Sequence, residues 1–167
     1  LRTVLGAHVE QKGSLVNSEY LRFDFSHFSK VSDEEIAQVE RIVNEKIREN
    51  IALLEERQVP IAEAKSKGAM ALFGEKYGDF VRVITFDKNY SVELCGGTHT
   101  SATGNIGMFK ILSESSIAAG VRRIEATTGQ TAIAYLEEKE NQLSTISAVL
   151  KNPKNIVKGV ESIIEEN

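Results

Sequence analysis

The sequence predicts an α+β fold in which an antiparallel or mixed sheet has one long helix packed on one face, followed by a C-terminal helical hairpin. Three observations support this prediction: short apolar runs lie between turn residues, one long stretch has helical apolar spacing, and the final segment is helical in pattern. Strands that follow each other through short links favour antiparallel pairing over a doubly wound parallel sheet.

The first elements are a helix end, a strand and the long helix. Residues 1–8 resemble the last turns of a helix without its capping residue, so we expect the chain to begin within an element, with a short frayed terminal strand as the alternative. A turn is predicted at 11–14 and an alternating strand at 20–25. Ser32 and Glu35 form a capping box that opens the long helix. Its apolar stripe consists of Ile36, Val39, Val43, Ile47, Ile51 and Leu54.

The middle of the chain is predicted to be rich in strands. Pro60 marks the break after the long helix, and a short helix at 62–67 is closed by Gly68. Short apolar runs separated by Gly, Asn or Ser then predict four strands. These strands span 80–86, 91–94, 106–113 and 121–127.

The pattern changes again after Gly129. Apolar residues at helical spacing predict helices at 131–150 and 155–164, with a turn at Asn152-Pro153 between them. We therefore expect two domains, 1–129 and 130–167. The second is interpreted either as a linker and oligomerisation segment or as a helix pair that packs back on the sheet.

Composition limits the class of protein. Of the 167 residues, 41% are hydrophobic and 26% are charged, which is typical of a soluble globular protein. The sequence has no apolar run of roughly 18 residues and no signal segment, so we expect no membrane contact. A single cysteine excludes an intrachain disulfide and fits the cytoplasm. The net charge of -4 argues against a general nucleic-acid coat, so any such contact should be local.

The single cysteine and one of three histidines lie four positions apart in Cys95-Gly96-Gly97-Thr98-His99. Thiolate and imidazole are preferred zinc ligands, but two ligands do not complete a tetrahedral site. Three alternatives stay open, namely a buried apolar cysteine, a thiolate–imidazole dyad and a glycine-rich phosphate loop. The histidines at 8 and 27 are further ligand candidates only by elimination, and each more naturally serves a strand end or a surface hydrogen bond.

Several blocks in one order carry a family resemblance. They are Gly13-Ser14-Leu15-Val16, Leu21-Arg22-Phe23-Asp24-Phe25-Ser26-His27, Gly68-Ala69-Met70-Ala71-Leu72-Phe73-Gly74-Glu75-Lys76-Tyr77-Gly78, Glu93-Leu94-Cys95-Gly96-Gly97-Thr98-His99 and Gly120-Val121-Arg122-Arg123-Ile124-Glu125. The chain thereby resembles the editing domain of alanyl-tRNA synthetase over residues 1–129. The related threonyl editing domain and the free-standing alanyl editing proteins match less well. Residues 130–167 resemble the helical segment that leads toward the family's C-terminal region.

The resemblance implies hydrolysis of tRNA(Ala) that is mischarged with serine or glycine. It also implies zinc, with Cys95 and His99 as two ligands and a His-x-x-x-His pair expected upstream of residue 1. The charging site of the parent alanine-tRNA ligase, with its ATP and magnesium, would lie outside this chain. We therefore expect weak or absent zinc binding and deacylation by this chain alone. The alternatives are a free-standing editing hydrolase and a structural module that self-associates through 130–167.

Three further residues fall within the resemblance as candidates for the substrate pocket. Sparing correctly charged product requires a polar group that rewards the hydroxyl of serine, because such a site rejects analogues that lack it. Gln11 is the first candidate for that group, and with Cys95 and His99 it completes the predicted catalytic set. Ser14 and Thr98 are weaker candidates, and an exposed turn residue is the alternative for Gln11.

Two adjacent arginines are candidates for tRNA contact. Arg122 and Arg123 point to opposite faces of a predicted strand. One is expected to contact a phosphate of the tRNA acceptor end, while the other pairs with a carboxylate such as Glu125. Both could equally form structural ion pairs.

Overall fold

A computed structural model describes residues 1–71, 76–151 and 153–166. Two compact units are present, Leu1–Gly129 and Gln130–Asn167. Part of one resemblance block, Leu72-Phe73-Gly74-Glu75, lies outside the described residues, as does Asn152 of the predicted turn. The functional roles assigned above to the two domains remain predictions.

The described chain contains seven strands, five α-helices and one 3-10 turn. In chain order they are α1 (Arg2–Leu5), β1 (Gln11–Val16), β2 (Leu21–Ser26), α2 (Asp33–Arg48), β3 (Leu54–Pro60), α3 (Ile61–Ser66), β4 (Phe80–Thr85), β5 (Val92–Leu94), a 3-10 turn (Thr103–Ile106), β6 (Phe109–Ala118), β7 (Val121–Thr128), α4 (Gly129–Val149) and α5 (Ile156–Glu166).

The larger sheet has four antiparallel strands in the order β1-β2-β7-β6. The apolar stripe of α2 packs on one face of it, which confirms the predicted α+β class. Phe25 and Val31 are fully buried at the centre of the core between them. The remaining core residues are Val9, Val39, Ile47, Phe109, Ile111, Ile124 and Ala126.

The capping box of α2 is confirmed, because Ser32 Oγ accepts from Glu35 N and the Glu35 carboxylate accepts from Ser32 N. The predicted extension of this helix to Leu54 is wrong. The helix ends at Arg48, and Asn50 turns the chain with a positive φ of 48°. Asparagine tolerates this left-handed conformation better than most residues, so the chain leaves the helix there and Leu54 opens β3.

The predicted turn at 11–14 is also wrong, because these residues belong to edge strand β1. Its register with β2 shifts between Gln11 and Gly13, which is a bulge that accommodates the glycine within the strand. The strand predicted at 106–113 begins later, at Phe109, because the preceding residues form a 3-10 turn. Strand β6 then continues to Ala118, and its register with β7 shifts at two places.

A second sheet, which the sequence did not predict as separate, has the order β3-β4-β5. Strand β3 itself was missed because its residues continue the apolar spacing of α2. The core of this sheet consists of Val59, Ala64, Val81, Val83 and Leu94. Met70 lies beside β5, since its N–H donates to Val92 O at 2.8 Å and its carbonyl accepts from Leu94 N at 2.9 Å. The free edge of β5 is therefore partly paired.

Thr103 joins the end of α2 to the loop after β5. Its Oγ1 donates to Lys46 O at 2.7 Å and accepts from Ile51 N at 2.8 Å. The Lys46 ammonium lies 3.4 Å from an Asp87 carboxylate oxygen and 5.0 Å from the ring centre of Tyr90. These contacts link α2 to the loop between β4 and β5.

The unit Gln130–Asn167 contains most of α4 and all of α5, so both predicted helices are confirmed. A Cβ on Gly159 would lie 2.9 Å from Pro153 Cγ, which means that the small residue allows α5 to approach the connection closely. Val149, Val157 and Ile164 expose apolar side chains. Among the helices of the described residues, none has the length and apolar character needed to cross a membrane.

Candidate functional site

Cys95 directly follows β5 and continues its pairing with β4. The Cys95 N–H donates to Arg82 O at 3.3 Å, so the extended conformation persists one residue beyond the strand. Side chains alternate along a strand, and Leu94 points into the core. Glu93 and Cys95 therefore lie on the other face. The thiol of Cys95 is free and half-buried.

His99 lies at the far end of the turn that begins at Cys95. Its Nδ1 is buried and has no hydrogen-bond partner within the described residues. A buried imidazole nitrogen without a partner is costly unless a ligand completes it. A Cβ on Gly97 would lie 3.6 Å from Cys95 Sγ, so the turn curls back over the thiol.

The chemistry of these two side chains fits zinc, which takes thiolate sulfur and imidazole nitrogen. The unpartnered Nδ1 of His99 is compatible with a ligand at that atom. Within residues 1–71, 76–151 and 153–166, however, no group of three or more His, Cys, Asp or Glu side chains could hold a metal ion. Cys95 and His99 are thus at most part of a site.

His8 and His27 bond to each other. His8 Nε2 lies 2.9 Å from His27 Nδ1, and their rings are stacked with centres 5.1 Å apart. The other nitrogen of His27 lies 3.1 Å from Ser29 Oγ. The sequence predicts that these two histidines form surface hydrogen bonds if they do not bind a metal, and the structure shows such hydrogen bonds.

Gln11 lines a cavity of about 380 Å³ between the N-terminal segment and the β5 region. Its Nε2 donates to Ser14 Oγ at 3.3 Å, so these two candidates are in contact, although Ser14 does not itself line the cavity. Sequence reasoning did not identify most of the other lining residues. They include Val9, Phe23, Met70, Tyr90, Ser91 and Glu93.

Thr98 and His99 line a different cavity, of about 630 Å³, with Gly96 and Gly97. Cys95 stands in the chain between Glu93 of the first cavity and Gly96 of the second. The candidates therefore fall into two groups around the end of β5, with Gln11 and Ser14 near one cavity and Thr98 and His99 at the other. Glu93 could have been found from the sequence, because it lies within the Glu93–His99 block.

Arg122 and Arg123 both form forked ion pairs. Arg122 bonds both carboxylate oxygens of Glu114, one of them at 2.7 Å. Arg123 bonds both oxygens of Asp24, at 2.7 and 2.8 Å, and this hydrogen bonding lowers the pKa of the Asp24 carboxyl. Glu125, which the sequence indicated as a candidate carboxylate partner of one arginine, instead accepts a hydrogen bond from Ser113. These pairs favour a structural role, and the tRNA contact remains a prediction.

Arg82 and Glu55 are the polar pair beneath the Cys95–His99 turn, and sequence reasoning missed both. Arg82 Nε donates to Glu55 at 2.9 Å, and its Nη1 donates to the carbonyl of Cys95 at 3.1 Å and to that of Gly97. Arg57 bonds the same Glu55 oxygen. The hydrogen bonds from Arg82 and then Arg57 lower the pKa of Glu55 to about 2.

Residues 81–125, which contain β4, β5 and the Cys95–His99 turn, match the family described as the threonyl and alanyl tRNA synthetase second additional domain. The matched segment therefore includes the centre of the candidate site. It also includes Arg82, Arg122 and Arg123.

Curated relatives cover the whole chain. The alanine–tRNA ligase of Cytophaga hutchinsonii is 64% identical over 99% of the chain, and those of Flavobacterium psychrophilum and Bacteroides fragilis are 59% identical over 100%. The chain spans 19% of the length of each of these relatives. The chain thus matches a region of alanine–tRNA ligases that includes the second additional domain.

Proposed function

We propose that this chain carries the proofreading site of an alanine–tRNA ligase and that the site hydrolyses tRNA(Ala) mischarged with serine or glycine. The observation that supports this most directly is the Cys95–His99 turn, which has a free thiol and a buried imidazole nitrogen with no hydrogen-bond partner among the residues that the structure describes. It lies within the segment that matches the second additional domain. The proposed reaction takes place in the cytoplasm, where tRNA is charged.

The aminoacyl bond of the proposed substrate is an activated ester, so the site must position a water and stabilise the developing oxyanion. Cys95 as thiolate and His99 through Nδ1 would hold zinc together with ligands from outside the described residues. When bound, zinc would polarise the water or anchor the amino group of the substrate. Because both side chains flank the turn after β5, they would place this chemistry beside the end of that strand.

Selection for serine would come from Gln11. Gln11 lines the first cavity, and Ser14 Oγ restrains the orientation of its side-chain amide through the 3.3 Å hydrogen bond. A hydrogen bond from Gln11 to the serine hydroxyl would favour seryl over alanyl esters, because alanine leaves that group unpaired. Thr98, which lines the second cavity, would contribute its hydroxyl group to the binding of the substrate. Glycine, which lacks the hydroxyl, would have to be accepted through its small size alone.

The activity of the whole ligase belongs to the same proposal. The longer protein would attach alanine to tRNA(Ala) with ATP and magnesium at a site outside this chain. Only the acceptor end of the charged tRNA would then have to reach Cys95. This division fits the net charge of -4, which calls for local rather than general contact with nucleic acid.

Hydrolysis of purified Ser-tRNA(Ala) tests the proposal. The chain would be extended upstream by the segment with the expected His-x-x-x-His pair and compared with its Cys95→Ala variant. We expect hydrolysis by the extended protein and a loss of at least about 100-fold in Cys95→Ala. Thr145→Ala, an exposed helix position, is the matched control. An inactive extended protein, or an unchanged Cys95→Ala variant, would refute the assignment.

The exposed apolar residues of α4 and α5 favour a second candidate function, self-association through residues 130–167. Val149, Val157 and Ile164 are among them, at 64–77% exposure. Apolar faces of this kind commonly pack against another helix. This function does not compete with hydrolysis, because it concerns the other unit of the chain.

A further inference from the structure

The conformation of the turn from Cys95 to His99 must be fixed by contacts other than regular backbone pairing, because residues 95–100 lie outside any helix or strand. Gly96 and Gly97 provide no side chains, and a Cβ on Gly96 would have no atom within 4 Å. Glycine also loses more conformational entropy on folding than any other residue. A fixed position for the thiol therefore requires contacts to the main chain of the turn.

Arg82 supplies such contacts. Its Nη1 donates to the carbonyl oxygens of Cys95 and Gly97, which flank Gly96 on both sides. Its own carbonyl accepts from Cys95 N. Cys95 is thus bonded to residue 82 through both its N–H and its carbonyl, and the second carbonyl bond draws Gly97 back over Sγ.

The guanidinium of Arg82 is itself held in place. Glu55 lies on neighbouring strand β3, opposite Ile84, and so shares a sheet face with Arg82. Its Oε1 accepts from Arg82 Nε at 2.9 Å, which leaves the Nη1 end directed at the turn. The Arg82 side chain is only 24% exposed, whereas that of Arg57, the other partner of Glu55, is 75% exposed. Arg57 makes no bond to the two carbonyls.

We propose that Arg82, oriented by Glu55, is a positioning residue that sets the place of the Cys95 thiol and of the turn leading to His99. The link to catalysis depends on the proposed hydrolysis, whereas the positioning itself does not. Lysine could not replace arginine here, because an ammonium lacks the rigid fork that reaches a carboxylate and two carbonyls at once.

The test uses the fact that Cys95 is the only cysteine. Iodoacetamide would alkylate the chain, and intact-mass spectrometry would follow the rate. We expect Arg82→Lys and Glu55→Ala each to raise the rate roughly fivefold or more, the factor that corresponds to about one lost hydrogen bond. Arg57→Gln, which leaves the carbonyl bonds in place, should stay within about twofold of the parent chain.

A purely structural role would lower the unfolding midpoint without a specific effect on Cys95. The alkylation rates are therefore compared far below the midpoint of each variant, with circular dichroism confirming the fold. If Arg82→Lys and Glu55→Ala alkylate at the parent rate while folded, the proposal is overturned. If Arg82→Lys is unfolded, Glu55→Ala decides alone.

Hydrolysis gives the second measurement, in the extended protein. Positioning predicts that Arg82→Lys lowers kcat for Ser-tRNA(Ala) and leaves KM nearly unchanged, since no substrate contact is removed. A rise in KM at constant kcat would show that Arg82 binds substrate and would overturn the positioning role. If the parent protein hydrolyses nothing but the alkylation rates change as expected, the proposed function fails and the positioning proposal stands.

Discussion

Single polar side chains determine the course of the loops in the unit Leu1–Gly129. Arg82 holds the turn after β5, Thr103 holds the end of α2, and Glu55 fixes Arg82. Each of these side chains bonds partners distant in sequence, and none belongs to a motif of fixed spacing. This is why the sequence identified Cys95 and His99 as candidates but could not identify the residues that support them.

At the residue scale, Glu55 should confer a pH dependence on stability. Its pKa is lowered from 4.5 to about 2 in the folded chain, so the folded state binds fewer protons than the unfolded state between these values. The stabilisation is complete above pH 4.5 and is lost as the pH falls toward 2. Urea unfolding of the parent chain and Glu55→Gln should show a stability difference at neutral pH that disappears in this window. A difference independent of pH would contradict the assignment.

Thr103→Val should destabilise the unit. The substitution keeps the shape of the side chain but leaves Lys46 O without its donor and Ile51 N without its acceptor. The expected loss in the free energy of unfolding is about 1–3 kcal/mol, measured by urea titration. Thr100→Val removes one hydrogen bond from the neighbouring loop and serves as the control with a smaller expected loss.

At the element scale, local patterns predicted some boundaries well and others poorly. The start of α2 was predictable because both halves of its capping box lie within four residues. The end of α2 was not predictable, because Asn50 is not a strong helix-terminating residue and the apolar spacing continues to Leu54 at the start of β3. Strand β1 was mistaken for a turn because Gly13-Ser14 is typical of turns, while its pairing with β2 is a tertiary effect.

Ser32→Ala should weaken α2 at its first turn. The variant loses the hydrogen bond from Glu35 N, and the loss expected for an N-cap is about 1 kcal/mol. Because α2 covers the larger sheet, the global unfolding transition should report it. Ser18→Ala, in the exposed link between β1 and β2, should leave the transition unchanged. Equal effects of the two substitutions would show that the cap contributes nothing.

At the scale of the whole molecule, the unit Leu1–Gly129 should fold without the rest of the chain. The core residues of both sheets all lie before Gly129. A chain ending at Gly129 should therefore unfold cooperatively by itself. If residues 130–167 mediate self-association, this shorter chain should sediment as a monomer under conditions in which the full chain associates. Unchanged association would exclude the helical segment as its cause.

The irregular registers of β1 and β6 have a consequence for solubility. These two strands form the open edges of the larger sheet, and each contains at least one bulge. A regular open edge invites a strand from another molecule, whereas a bulge twists the edge and interrupts the row of free N–H and carbonyl groups. The bulges should therefore discourage the sheet from growing between molecules and so reduce the tendency of the domain to aggregate.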